Sequence, residues 1–91
     1  MSNETAGDLD IINDLGLHAR AASKLVKVAN SYDAGVFVAH EGREVNGKSI
    51  LGVLMLACAK GSTIHVRCDG PQAAEAFQAI GDLVRDGFGE M

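Results

Sequence analysis

The sequence contains little of what nucleic-acid-binding and membrane-spanning proteins depend on. It has no tryptophan, one tyrosine and three phenylalanines, and its eight lysines and arginines are outnumbered by twelve aspartates and glutamates. Phosphate backbones attract basic surfaces and single strands bind exposed aromatic rings, so we expect no nucleic-acid partner. No apolar run approaches the length of about 20 residues that crosses a bilayer, which predicts no membrane insertion. The N-terminus also lacks the basic and apolar regions of a secretory signal, so we expect a cytoplasmic protein.

Cysteine and proline are also scarce. Cys58 and Cys68 lack the paired spacing of a zinc or redox site, so we predict two buried thiols rather than a disulfide, and neither a metal nor a cofactor. His40 and His65 have no metal-spaced neighbour and are expected at a hairpin edge and on a strand surface. The one proline, Pro71, is expected at the first position of a helix.

The length and the hydrophobic content predict one folded domain. Ninety-one residues bury enough surface for one hydrophobic core and not for two. The polar residues 1–8 are expected to form a flexible tail, and residues 9–91 the domain.

The apolar spacing divides that domain into four strands and three helices. Strands are predicted at Leu9–Ile12, Val36–Ala39, Arg43–Val45 and Ile64–Cys68, and helices over Ala19–Asn30, from Ser49 toward Lys60, and from Pro71 to near Gly87. The order βαββαβα, with short loops and half-buried strands, predicts an α+β open-faced β-sandwich. In it, a four-stranded antiparallel sheet carries three helices on one face.

His18 lies where the first helix is predicted to begin, after a loop that contains Gly16. The first N–H groups of a helix lack acceptors and the helix dipole is positive there, so an anion is stabilised. The same positive end disfavours imidazolium and leaves a ring nitrogen free to attack phosphorus. The guanidinium of Arg20 is expected to contact phosphate oxygens. From the residues alone, the alternative stays open that His18 is an imperfect helix cap and Arg20 a solvated charge.

Between Leu9 and Phe88 the sequence resembles the HPr family, the histidine phosphocarriers of the phosphoenolpyruvate-dependent phosphotransferase system and of its nitrogen-related branch. The resemblance is carried by GLHARAA (16–22), VNGKSILGVLMLA (45–57) and KGSTIHVRCDG (60–70). It implies that His18 is phosphorylated on Nδ1, that Arg20 assists transfer, and that the protein is a phosphoryl carrier and not an enzyme. It also implies enzyme I as the donor and an EIIA-type domain as the acceptor, and we expect a monomer.

Two positions depart from the family pattern. The family motif usually reads GLHARPA, whereas this chain has Ala21 at the place of the proline. Alanine is the best helix former, so we expect the helix to form with a less rigid first turn. Gly47 stands where many sugar-system members carry a larger residue, which favours the nitrogen-related branch.

Ser49 and the apolar residues after it form a second candidate site. Ser49 is expected to cap the short helix. The resemblance implies a further role, because a dedicated HPr kinase phosphorylates the serine at this place in some members, and the sequence leaves open whether that happens here. A short helix that is apolar nearly all round cannot bury every side, so part of it should contact partners. Met55 is expected in the core, and the candidates for partner binding are Ile50, Leu51 and Leu54, with Lys24 and Lys27 as a modest positive face near His18.

Parts of the sequence match two other functions. The letters GREVNGKS, Gly42–Ser49, satisfy the P-loop pattern of nucleotide-binding proteins. A P-loop needs a flexible loop that wraps phosphates and a parallel sheet. Here Arg43–Val45 is predicted to be a strand, and 91 residues leave no room for such a sheet, so we do not expect nucleotide binding. The other alternative is an HPr-like regulatory module that docks on partners without carrying phosphate; such relatives lack the active histidine, which this chain has.

Overall fold

The computed structural model describes residues 3–90, which form four strands and three helices. The sheet has the strand order β1-β4-β2-β3, and every neighbouring pair is antiparallel. The predicted α+β fold and the order βαββαβα are confirmed. The elements are β1 (Glu4–Asp10), α1 (Ala19–Ala29), β2 (Gly35–His40), β3 (Arg43–Asn46), α2 (Ile50–Met55), β4 (Thr63–Asp69) and α3 (Ala73–Arg85), followed by a 3₁₀ turn at Gly87–Gly89.

The helices cover one face of the sheet, and the other face is open to solvent. In β4 the side chains of Ile64, Val66 and Cys68 are buried, while Thr63 and His65 between them are exposed. This alternation is that of a strand with one core face. On the open face, the guanidinium of Arg67 lies 4.2 Å from the centre of the Phe37 ring.

The first strand begins earlier than the sequence predicted, so the prediction of a flexible tail over residues 1–8 is wrong for the residues described. Strand β1 pairs with β4 from Glu4 opposite Asp69 to Asp10 opposite Thr63. Its inward positions before Leu9 are Thr5 and Gly7, which are not apolar, so the sequence shows no alternation there. Gly7 leaves room for Phe77 of α3, whose ring would lie 2.9 Å from an added Cβ. Met1 and Ser2 lie outside the described residues.

Two helix boundaries also differ from their predictions. Helix α2 ends at Met55 and does not continue toward Lys60, because Ala57 takes the left-handed conformation (φ 51°) and turns the chain. Helix α3 is capped by Gln72 and starts at Ala73, so Pro71 precedes the cap and is not a helical residue.

The two cysteines, Cys58 and Cys68, are buried and unpaired, as the sequence predicted. Burial raises the pKa of each thiol. Among residues 3–90, no helix has the length and apolar content that spanning a membrane requires.

Candidate functional site

His18 is the N-cap of α1. Its backbone is extended (φ −73°, ψ 178°), its carbonyl accepts the N–H of Ala22 at 2.8 Å, and its Nδ1 accepts the backbone N–H of Arg20 at 3.3 Å. Because Nδ1 accepts this hydrogen bond, the neutral ring carries its proton on Nε2. The side chain is 27% exposed, which leaves one edge of the ring accessible.

The loop before His18 is fixed by backbone contacts to the segment after α2. The N–H of Leu17 donates to the carbonyl of Cys58 at 2.9 Å. Gly16 takes φ +64°, and a Cβ there would lie 2.2 Å from the same carbonyl oxygen. Glycine is therefore required both by the dihedral angle and by the close approach.

A carboxylate from the far end of the chain contacts the ring of His18. His18 Nε2 donates a hydrogen bond to Oε2 of Glu90, and Oε1 of Glu90 accepts the side-chain amide of Asn13 at 2.8 Å. Asn13 is fully buried and also donates to the carbonyl of Gly16 at 2.8 Å. The Asn13 amide, ahead of the contact with His18, lowers the pKa of the Glu90 carboxyl.

Phe88 and Lys24 hold the C-terminal segment against α1. The side chain of Phe88 is fully buried, although its backbone is left-handed (φ 57°). Lys24 Nζ donates to the Phe88 carbonyl at 2.6 Å. Lys24 was a candidate for partner binding, and the structure gives it an internal contact as well.

Arg20 and Lys27 are the exposed cations of α1. Arg20 is the second residue of the helix, and no hydrogen bond or ion pair within residues 3–90 holds its guanidinium, so it can swing toward a group on His18. Lys27 lies in the last turn, where a cation is stabilised by the helix dipole. Ala21, at the place of the family proline, is fully buried.

Helix α2 runs antiparallel to α1, with its C-terminal end toward His18. Two contacts fix this direction: the amide of Asn30, after α1, donates to the Lys48 carbonyl before α2, and Leu17 contacts Cys58 after α2. Leu51 is 70% exposed and Met55 63% exposed. The expectation that Met55 belongs to the core is therefore wrong, because the six-residue helix buries mainly Val53 against the protein. We call Leu15, Ile50, Leu51 and Met55 the exposed apolar surface.

Leu54 and Ser49 complete the second candidate site. Leu54 is partly buried and packs against the core, so it offers a partner less surface than Leu51 does. Ser49 caps α2 as predicted, and its Oγ accepts the N–H of Gly52 at 3.2 Å. Ser49 and His18 lie beside opposite ends of α1, a helix about 16 Å long.

The P-loop alternative is wrong. The middle of its motif, Arg43–Asn46, is strand β3, paired with β2 from His40 opposite Arg43 to Phe37 opposite Asn46. The N–H of Gly47 donates to Val36 at 2.7 Å, and Lys48 Nζ donates to the Tyr32 carbonyl at 3.3 Å. Neither group is free to bind phosphate. His40 and His65 contact the Thr63 carbonyl and the Asp8 carboxylate on the sheet.

Sequence reasoning missed Asn13 and Glu90. No carboxylate lies within three residues of His18 along the chain, whereas Glu90 reaches the ring from across the fold. The available signal was Phe88 between Gly87 and Gly89, an apolar residue beyond the last helix in a flexible context. Such a residue indicates that the terminus docks on the protein.

Comparisons with known proteins agree with this fold. The family model described as "PTS HPr component phosphorylation site" matches residues 6–86. A phosphocarrier protein HPr of Neisseria meningitidis is 48% identical over 82 residues, which cover 90% of this chain and 92% of that protein. The phosphocarrier protein NPr of Escherichia coli is 42% identical over 83 residues, covering 90% of this chain and 92% of that protein.

A solved structure shares the whole architecture. The crystal structure of an HPr from Thermoanaerobacter tengcongensis superposes with a TM-score of 0.93 at 32% identity, covering 96% of this chain and 98% of that one. The fold and the matched segments define a phosphocarrier of the phosphotransferase system. The chain belongs to the HPr family.

Proposed function

We propose that this protein carries a phosphoryl group on Nδ1 of His18, accepting it from enzyme I and passing it to an EIIA-type domain in the cytoplasm. The observation that carries the proposal is the position of Nδ1, which accepts a backbone N–H in the first turn of α1. The lone pair of Nδ1 is therefore free of a proton. A phosphoryl group bound there meets unpaired N–H groups and the positive end of the helix.

Arg20 is proposed to assist the transfer. Its guanidinium is exposed at the second position of α1, within reach of a phosphoryl group on the neighbouring ring. A planar fork of donors suits phosphate oxygens and offsets their charge. The carrier needs no water-activating base, because the phosphoryl group moves from one protein to another.

The exposed apolar surface is proposed to dock both partners. Leu51 and Met55 are more than half exposed, and α2 leads from Ser49 toward His18. The donor and the acceptor would cover the same surface in turn. Lys27 would attract acidic residues at the edge of either partner's docking surface. We also propose that an HPr kinase can phosphorylate Ser49. A phosphate there would place negative charge beside these apolar contacts and weaken docking.

A labelling experiment tests the proposal. The protein is incubated with enzyme I and radiolabelled phosphoenolpyruvate, and an acid-labile, base-stable label is expected. His18→Ala should abolish the label, and His65→Ala, a histidine on the open face, should retain it. Arg20→Ala should lower the rate while leaving the extent of labelling unchanged. Absence of label on the unaltered protein, or label that survives His18→Ala, would contradict the assignment.

Docking and oligomeric state are tested separately. Leu51→Glu should raise the KM of enzyme I for the carrier without unfolding it, since Leu51 is 70% exposed. Size-exclusion chromatography of the unaltered protein should give the elution volume of a 9.5 kDa monomer. An unchanged KM would exclude Leu51 from the interface.

A further inference from the structure

A polar cleft lies beside the exposed apolar surface, between the β2–β3 hairpin and the end of α2. Its volume is about 200 Å³, and it is lined by His40, Glu41, Arg43, Met55 and Leu56. Met55 is 63% exposed and belongs both to this cleft and to the exposed apolar surface. A partner that covers Met55 therefore also reaches the cleft.

The hairpin that forms one wall of the cleft has a fixed backbone. Glu41 and Gly42 both take a positive φ (51° and 82°), as in the two-residue turn that matches the twist of its strands. His40 and Arg43 lie directly opposite each other beside this turn. Val38, two residues before His40, is buried under the helices. Since side chains two apart on a strand share a face, His40 and Arg43 both lie on the face that α2 covers.

The ring of His40 has one nitrogen that the fold uses and one that is open to the cleft. Nδ1 lies 3.1 Å from the carbonyl of Thr63, which only accepts, so Nδ1 carries the proton of the neutral ring. Nε2 then has a lone pair, and it lies 3.7 Å from Oε1 of Glu41, which is also an acceptor. The His40 side chain is 17% exposed, so these two acceptors are held at the cleft.

Arg43 supplies hydrogen-bond donors to the same cleft. Its side chain is exposed, and no carboxylate within residues 3–90 forms an ion pair with it. Met55 and Leu56 contribute apolar surface to the lining. The cleft thus presents acceptors, donors and apolar carbon within a space large enough for several water molecules, each of about 30 Å³.

This combination discriminates between the side chains that a partner can insert. A carboxylate would pair with Arg43 but would face the lone pair of His40 and the charge of Glu41. An ammonium group would pair with Glu41 but would be repelled by Arg43. A carboxamide donates through its nitrogen and accepts through its oxygen, and it carries no charge. Its methylene groups suit the apolar part of the lining.

We propose that the cleft receives an asparagine or glutamine side chain of a docked partner, whose amide donates to Nε2 of His40 and whose oxygen accepts from Arg43. The inference rests on the proposed function, because the docked partner is the phosphoryl donor or the acceptor. His40 and Arg43 are then specificity-determining residues, since a partner with a charged side chain at this place is disfavoured.

Steady-state kinetics with enzyme I as donor and with an EIIA-type domain as acceptor test the contact. Arg43→Ala removes one hydrogen bond and should raise the KM for the partner that fills the cleft by about fivefold. The kcat should not change, because Arg43 does not touch the phosphoryl group. Arg85→Ala is the matched control, because it removes the same charge from an exposed position of α3. It should leave both KM values unchanged.

Salt separates a contact inside the cleft from attraction between distant charges. At about 1 M salt the screening length falls to about 3 Å, so the attraction of Arg43 to a distant acidic group disappears. A hydrogen bond made in the cleft is screened much less, and the difference in KM between Arg43→Ala and the unaltered protein should persist. A difference that vanishes at high salt would make Arg43 part of a general positive field and would overturn the inference.

Nitrogen NMR of the His40 ring identifies the chemistry of the occupant. When that partner is added, the Nε2 resonance should move from the position of a bare nitrogen toward that of a nitrogen that accepts a hydrogen bond. Nδ1 should stay protonated. Protonation of both nitrogens would show that a carboxylate fills the cleft, and an unchanged Nε2 resonance would show that no donor reaches it. Either result would overturn the inference.

The outcomes also separate this inference from the proposed function. If Arg43→Ala leaves KM unchanged for both partners while His18 takes label, the cleft has no part in docking and the proposed function stands. If the unaltered protein takes no label, the proposed function fails first and this inference fails with it.

Discussion

At the residue scale, the site depends on a backbone approach that only glycine allows. The loop before His18 is drawn onto the segment after α2, so that Leu17 bonds to the Cys58 carbonyl. Gly16 lies at the point of closest approach and has a positive φ. Any larger residue would push the loop away from Cys58 and shift the start of α1. The position of the imidazole is therefore set by a residue that takes no part in the chemistry.

Gly16→Ala should destabilise the protein by more than the cost of placing alanine at a positive φ. Gly42 is the matched control, because it also has a positive φ (82°) and an added Cβ there meets nothing within 4 Å. We expect a difference of about 2 kcal/mol in the free energy of unfolding between the two alanine variants, since only Gly16→Ala adds a clash. Urea denaturation measures it. Equal losses of unfolding free energy in the two variants would show that the loop can move away from Cys58 at no energetic cost.

At the element scale, α2 is short and exposed, and its stability depends on its cap. Six residues with one fully buried side chain, Val53, gain little from packing, and an isolated helix of that length is not stable in water. The hydroxyl of Ser49 pairs with the N–H of Gly52. The residue proposed to regulate docking is thus also the residue that begins the helix.

A pair of substitutions at Ser49 separates capping from docking. Ser49→Ala should cost about 1 kcal/mol of unfolding free energy, whereas Ser49→Asp should cost little, because aspartate is as good an N-cap as serine. Ser49→Asp should nevertheless raise the KM of enzyme I, since it adds charge beside Ile50 and Leu51. Thermal unfolding and phosphorylation kinetics measure the two effects. If Ser49→Asp left KM unchanged, charge at this cap would have no influence on docking.

At the scale of the whole molecule, segments that are far apart in the sequence meet at the site. Asn13 follows the first strand and Glu90 follows the last helix, and the two side chains are bonded to each other beside His18. The sheet and α3 carry these distant segments to one place. The contact therefore exists only while the whole fold is intact.

This contact gives the stability a dependence on pH. The pKa of the Glu90 carboxyl is lowered from its ordinary 4.5 in the folded protein, by the Asn13 amide first and by His18 and Lys24. A group with a lowered folded pKa stabilises the protein above its unfolded pKa, and that contribution is lost as the pH falls through the folded pKa. The unaltered protein should therefore exceed Glu90→Gln in stability at pH 7, and the difference should shrink below pH 4.5.

Urea midpoints of the two proteins between pH 7 and pH 3 measure this dependence. Glu75→Gln, which removes a carboxylate from the exposed first turn of α3, is the control, and at pH 7 it should lose only a small helix-dipole contribution of about 0.5 kcal/mol. A constant difference across that range would show that the charge of Glu90 does not contribute to stability.

Local patterns in the sequence determined most of the fold. The alternation through Ile64, Val66 and Cys68 predicted β4, and the apolar stripe of α3 predicted the last helix, because each element repeats its own period along the chain. The same holds for the placement of His18 and Ser49, since both cap helices whose starts are visible in the sequence. Strand β1 was missed over its first half because its inward positions there, Thr5 and Gly7, are not apolar and give no alternation.

The sequence by itself determined which histidine stands at a helix start and which family the chain resembles. Only the tertiary structure decided that Glu90 and Asn13 bond beside that histidine, that Met55 faces solvent, and that Lys24 holds the C-terminal segment. The physical reason is range: helix caps and apolar periods are properties of a few neighbouring residues, whereas these contacts join residues that come together only when the sheet and its helices have packed.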